Sequence, residues 1–190
     1  MSLLLTAVLL TKLPLVVRTY DSAGVPPRAL EQARDSARAA LATIGIEPIW
    51  RPCHATGCIG KPKPPQPPHQ VEVEVRLVNA PASTARGTLG AAAVDLEQRA
   101  GTLATVYVDR IVAMAAQSGV DVGELIGRVV AHEIGHLILG TTDHAASGLM
   151  RPAWTSAEIR RRRPWDWIFS AEQGAEMRYR LQARDEAAGD

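Results

Sequence analysis

No stretch of these 190 residues is apolar for long enough to cross a bilayer, so no stable membrane insertion is expected. An excess of one charge is missing too. Lys and Arg number 21 against 20 Asp and Glu, and the net of +1 gives no reason to expect a nucleic-acid partner. Internal repeats are absent, which excludes a solenoid. What remains is ordinary, 46% hydrophobic and 22% charged, and suits one compact unit with a real core, expected as a monomer.

Cysteine is scarce. The only two, Cys53 and Cys58, are too few for a four-thiolate metal site. They bound the short segment Cys-His-Ala-Thr-Gly-Cys, a loop that a disulfide closes with little strain. Free thiols, or a metal site that also uses His54, are the alternatives. A disulfide implies an oxidising compartment, so a secreted or periplasmic location is expected over a cytoplasmic one. Residues 1–13 have the apolar character of a signal core but lack a basic start and a small-x-small cleavage site. They are set apart as a leader, with an N-terminal strand as the alternative. Residues 14–190 are taken as one domain, in which 52–70 form the cysteine loop and a proline-rich connector.

The chemistry concentrates in Ala131-His-Glu-Ile-Gly-His-Leu-Ile-Leu-Gly-Thr-Thr-Asp-His144. On an α-helix, residues four apart project from one face, so His132 and His136 can share a metal. Glu133 sits one residue round from His132, close enough to take a proton from metal-bound water without being a ligand. Gly140 supplies a left-handed helix stop. The chain then turns back to offer His144 as a third ligand. Upstream, Asp121 with Glu124 forms a capping-box-like start. Apolar residues at helical spacing from Val122 to Ile138 make the helix a largely buried one, with its histidines on the remaining face.

These residues resemble the metzincin zinc peptidases, whose signature is His-Glu-x-x-His-x-x-Gly-x-x-His followed by a methionine turn. Here the glycine comes one residue late and the last histidine two residues late, and Thr142 stands where the usual spacing puts the third ligand. Asp143 competes with His144 for that role. Ser147-Gly148-Leu149-Met150 resembles the methionine turn, which implies that Met150 forms an apolar floor beneath the metal. No tyrosine follows it, so no side chain is assigned to oxyanion stabilisation. A different zinc-peptidase plan takes its third ligand from a later glutamate, for which Glu158, Glu172 and Glu176 are available.

The resemblance implies an α+β fold with a twisted mixed sheet of about five strands, a backing helix, the active-site helix, the methionine turn and a C-terminal helix. It implies one catalytic Zn²⁺ held by His132, His136 and His144, and a zinc-dependent endopeptidase in which Glu133 activates the zinc-bound water. The alternative is a secreted zinc-containing binding protein on a peptidase-like scaffold, without turnover.

The remaining pattern fits that layout. Strands are expected at Leu15–Tyr20, Ile46–Trp50, Val71–Val78, Leu89–Val94 and Thr105–Val108. A helix opens at Pro26 and Pro27 and closes at Gly45, with Leu30, Ala33, Ala37, Leu41 and Ile44 as its apolar stripe. Another helix is expected around Ile111 to Ala116. Residues 61–68 read as an extended polyproline-like connector. By resemblance, Leu89–Val94 is the edge strand above the cleft, where a peptide or protein substrate pairs with the free backbone. Arg160–Arg163 reads as a solvated run beside the partly buried Trp165 and Trp167. A helix from Ala171 to Arg184 ends the domain, and 185–190 are expected to fray.

Overall fold

The computed structural model describes residues 12–54, 57–58 and 71–187. The first strand, β1 (Leu13–Asp21), is rich in β-branched and leucine side chains, and Leu15, Val16 and Val17 are fully buried. Pro27 occupies the first turn of α1 (Pro27–Ala42), where its missing N–H costs nothing. Ala33, Ala37, Ala40 and Leu41 form the buried stripe of α1, and Gly45 turns the chain at φ +72. β2 (Ile46–His54) returns parallel to β1. It runs four residues beyond the Trp50 expected from sequence. Pro48 and Pro52 are an even number of residues apart, so both lack their N–H on the same side and leave the ladder on the other side intact.

Among the described residues the sheet has six strands, against about five expected. The addition is β3 (Gly57–Cys58), two residues paired antiparallel with Cys53 and His54 and too short to leave a periodic trace. Cys53 and Cys58 lie opposite each other there and are disulfide-bonded. The proline-rich connector and the first eleven residues of the expected leader lie outside the described residues. β4 (Glu72–Val78) alternates as expected: Val73, Val75 and Leu77 are buried, while Glu72 and Glu74 on the other face pair with Arg18, Arg51 and Arg76. β5 (Gly90–Asp95) and β6 (Ala100–Tyr107) make an antiparallel hairpin. The sheet order is β3-β2-β1-β4-β6-β5, a mixed α/β arrangement with β5 at one edge.

After β6 come α2 (Val108–Ser118), stopped by Gly119 in the left-handed conformation, and α3 (Val122–Leu139). The Asp121 side chain accepts from the Glu124 backbone N–H at 3.0 Å and fixes the start of α3. Glu124 does not complete the reciprocal half of the capping box; its carboxylate pairs with Arg128 instead. Every residue from Leu125 to Leu139 is buried, histidines included, so α3 has no solvent face along that run. It is the central helix of the molecule.

Two glycines on α3 let α1 approach it. A Cβ on Gly123 would lie 2.5 Å from the Ala29 carbonyl oxygen, and one on Gly127 would meet the Ala33 carbonyl closer still. Alanine at 127 gains about 1 kcal/mol of helix propensity, but the overlap with a rigid backbone costs about 1–3 kcal/mol. Gly127→Ala is therefore expected to destabilise the protein, read as a lower urea midpoint. An unchanged or raised midpoint would contradict this packing.

The chain ends with α4 (Ser156–Arg161), a 3₁₀ turn at Pro164–Trp167 and α5 (Ala171–Ala187). Residues 185–187, expected to fray, belong to the last turn of α5, and 188–190 lie outside the described residues. Trp167 is buried, with the Arg128 guanidinium 3.8 Å above its ring, whereas Trp165 is 61% exposed rather than partly buried. The basic run is tied down on the side of Glu124 and Gln117: Arg162 pairs with Glu124, and Arg160 donates to the Gln117 carbonyl. From α5, Arg184 donates to the carbonyls of Leu137 at 2.7 Å and Ile138 at 3.3 Å, satisfying acceptors that every helix C-terminus leaves open.

Candidate metal centre

Two neutral imidazoles on adjacent turns of α3 open the site. His132 Nδ1 lies 2.8 Å from the Leu149 carbonyl, and His136 Nδ1 lies 2.8 Å from the Thr141 carbonyl. A carbonyl only accepts, so each δ nitrogen carries the proton and donates. Each ε nitrogen is left with a lone pair, and the two face each other at 3.0 Å. Two lone pairs at that distance repel unless a cation lies between them. Burial reinforces the neutral state. It pushes His132 down to about 4, only partly opposed by the Leu149 carbonyl, and it also lowers His136. A ligand histidine must be unprotonated, so these shifts favour metal binding.

The helix ends as the sequence predicts. Gly140 sits at φ +62, its N–H bonded to the His136 carbonyl at 2.9 Å. The conformation is one reason for glycine; the Arg99 carbonyl, which occupies the space a Cβ would need, is a second. The chain then folds back so that a ligand atom of His144 comes within 4.8 Å of those of His132 and His136. His132 and His136 are buried while His144 is exposed, which leaves one side of the trio open to the cleft. Asp143 is exposed and stands outside the trio, its backbone N–H bonded to the Thr141 hydroxyl. Thr142 lines the cleft. The later glutamates stand outside the trio as well: Glu158 is held by Thr155 and Arg151, Glu176 by Arg180, and Glu172 is exposed. Three imidazoles with an open side suit a zinc ion that keeps a position free for water.

Glu133 lies against the same space, 5% exposed. Burial alone raises its carboxyl to about 8. A divalent cation held beside it favours the charged form and works against that shift.

Below the helix, Met150 is fully buried. A Cβ on Gly135 would sit 2.5 Å from Met150 Sδ and 2.8 Å from Phe169 Cε1, so both side chains fill the place under α3 between the two histidines. Trp154 packs edge-on against His132 at 5.5 Å and lies 5.3 Å from Trp167, continuing the apolar support to Arg128. Met150 is named by the sequence, whereas the parts of Gly135, Phe169 and Trp154 escape it. Gly135 and Trp154 carry no motif, and their partners are distant in sequence.

A cleft of about 630 Å³ runs across the site. Residues 86–92, leading into and along β5, form one wall, and Arg151 to Trp154 form the other. The second wall is fastened by Glu158. Its carboxylate accepts from the Thr155 backbone N–H and hydroxyl, each at 2.8 Å, and from Arg151 at 2.6 Å. These contacts, Thr155 first, hold its pKa down at about 2 against an ordinary 4.5. A carboxylate depressed by folding contributes stability above its unfolded pKa and loses it as pH falls towards the folded one. Glu158→Gln is thus expected to flatten the loss of stability between pH 4.5 and about 2, measured by urea midpoints across that range. An identical pH profile for variant and parent would refute the anchor.

No family model and no curated protein matches this sequence. Solved structures do. An archaemetzincin from Methanopyrus kandleri superposes with a TM-score of 0.54 at 14% identity, covering 90% of this chain and 96% of that one. A zinc-dependent peptidase from Methanocorpusculum labreanum (strain Z) superposes with a TM-score of 0.52 at 19% identity, covering 85% and 99%. At such identities the likeness is one of architecture, and the chain has a zinc metallopeptidase-like fold.

Proposed function

We propose that this protein is a zinc-dependent metalloendopeptidase of the metzincin kind. The observation that carries the reading is the trio His132, His136 and His144, with its open side next to the buried Glu133. The neighbours' own descriptions, an archaemetzincin and a zinc-dependent peptidase, support the same choice of metal and reaction. When bound, zinc supplies a Lewis acid beside a position open to solvent. The chain's residues do the rest. The three imidazoles hold the ion, with the carbonyls of Leu149 and Thr141 fixing the rings of His132 and His136. Glu133 accepts a proton from the attacking water and returns it to the departing amine. Met150 and the segment before it serve as the methionine turn.

Substrate is read as an extended peptide paired with the free edge of β5, whose first residues line the cleft. Among the described residues no helix is long and apolar enough to cross a membrane. The Cys53–Cys58 bond favours a secreted or periplasmic site of action.

Metal analysis combined with digestion of a mixed peptide library tests the proposal. One zinc per chain and internal cleavages abolished by chelator, then restored by zinc, are expected. Bound zinc with no cleavage would favour a binding protein on this scaffold instead, for which a buried acid beside the metal has no use.

A further inference from the structure

We infer that Gly90 is a positioning residue for Glu133, its bare Cα providing the space in which the acid rests. The expected effect on turnover rests on the peptidase reading above; the contact itself rests on geometry. A Cβ built on Gly90 would lie 2.5 Å from Glu133 Oε1 and 2.9 Å from both Cδ and Cγ. Three atoms of one side chain occupy the volume that any other residue would claim. Gly90 does not adopt a left-handed conformation, so backbone freedom does not explain the glycine. A glycine inside a strand weakens it, and a group approaching closely from elsewhere is a reason for one to stand there.

What gives way on substitution decides the consequence. β5 is held from the far side, because Gly90 lies opposite Val106 and the Tyr107 N–H donates to the Leu89 carbonyl at 2.8 Å. α3 is held as well, by the α1 backbone at Gly123 and Gly127 and by the Arg99 carbonyl at Gly140. The Glu133 side chain, with three rotatable bonds, is the compliant partner. A methyl group at position 90 therefore turns the carboxylate away from β5 while the backbone stays in place. The same residue lines the cleft, so the edge offered to a peptide and the seat of the acid meet at one position.

Gly90→Ala is the test, with zinc content, kinetics and a crystal structure as readouts. Zinc content and thermal midpoint should match the parent, KM should hardly move, and kcat should fall about 100-fold, the scale of a misplaced catalytic group. Combining it with Glu133→Asp adds a second arm: the shorter acid fits the narrowed space, so Glu133→Asp should cost less activity in the Gly90→Ala background than alone. In the crystal structure the Glu133 carboxylate should have left β5. A parental kcat, or a carboxylate still resting against the strand, overturns the inference. If the parent protein cleaves nothing, the peptidase reading falls, and the crystal structure alone decides the contact.

Discussion

Glu133→Gln is expected to keep its zinc and lose turnover by about 10²–10⁴-fold, the usual contribution of a positioned acid–base group. Glutamine has the same shape and fills the same space against Gly90, so packing is unchanged. What disappears is the ability to take a proton from water. The variant should not be less stable. In the metal-free parent, burial raises this carboxyl from 4.5 to about 8. A carboxyl raised by folding binds more protons in the folded state, so stability declines as pH climbs from 4.5 to 8. Metal-free Glu133→Gln should lack that decline. Urea midpoints at several pH values, taken with peptide hydrolysis assays, measure both effects. A variant with parental turnover would remove Glu133 from the chemistry, and a parental pH profile would remove its burial from the energetics.

His144→Ala should have the second largest effect, on metal affinity. Losing a carbonyl partner behind a ligand costs about 10–100-fold in affinity; losing one of three ligands should exceed that. Asp143→Ala should leave affinity as it was, since that carboxylate stands outside the trio. Competition with a chromophoric chelator measures both variants in one format. Should Asp143→Ala release the metal and His144→Ala retain it, the two residues exchange roles.

The central helix was readable because its signals are local. A capping aspartate, helical periodicity from Val122 to Ile138 and a glycine stop all fall within α3 and its flanks, from Asp121 to Gly140. The alternation of β4 was equally plain. β6 was not: it begins at Ala100, five residues before the Thr105 expected, because an isolated glycine, Gly101, weakens a strand pattern. Gly101 tolerates a strand there because Leu137 Cδ2 and the Ala93 carbonyl take up the volume a Cβ would need, a fact that depends on two other elements. The lateness of His144 posed a similar difficulty. Two additional residues in the motif leave the direction of His144 undetermined in sequence, and it is the fold-back after Gly140 that brings a ligand atom of its ring within 4.8 Å of those of the other two. In sequence, Gly90 is part of a small-residue strand suited to substrate. Its contact with Glu133 joins positions far apart in sequence, which no local pattern encodes.

The grip of Arg184 on the last carbonyls of α3 bears on the order of events during synthesis. Those carbonyls belong to Leu137 and Ile138, immediately beyond His136, yet their donor is translated 46 residues after Ile138. A nascent chain still short of that arginine lacks this restraint on the segment between the second and third histidines. Full restraint of that stretch therefore waits until α5 has been made and has packed against α3, which couples the exit from the central helix to an element far along the chain.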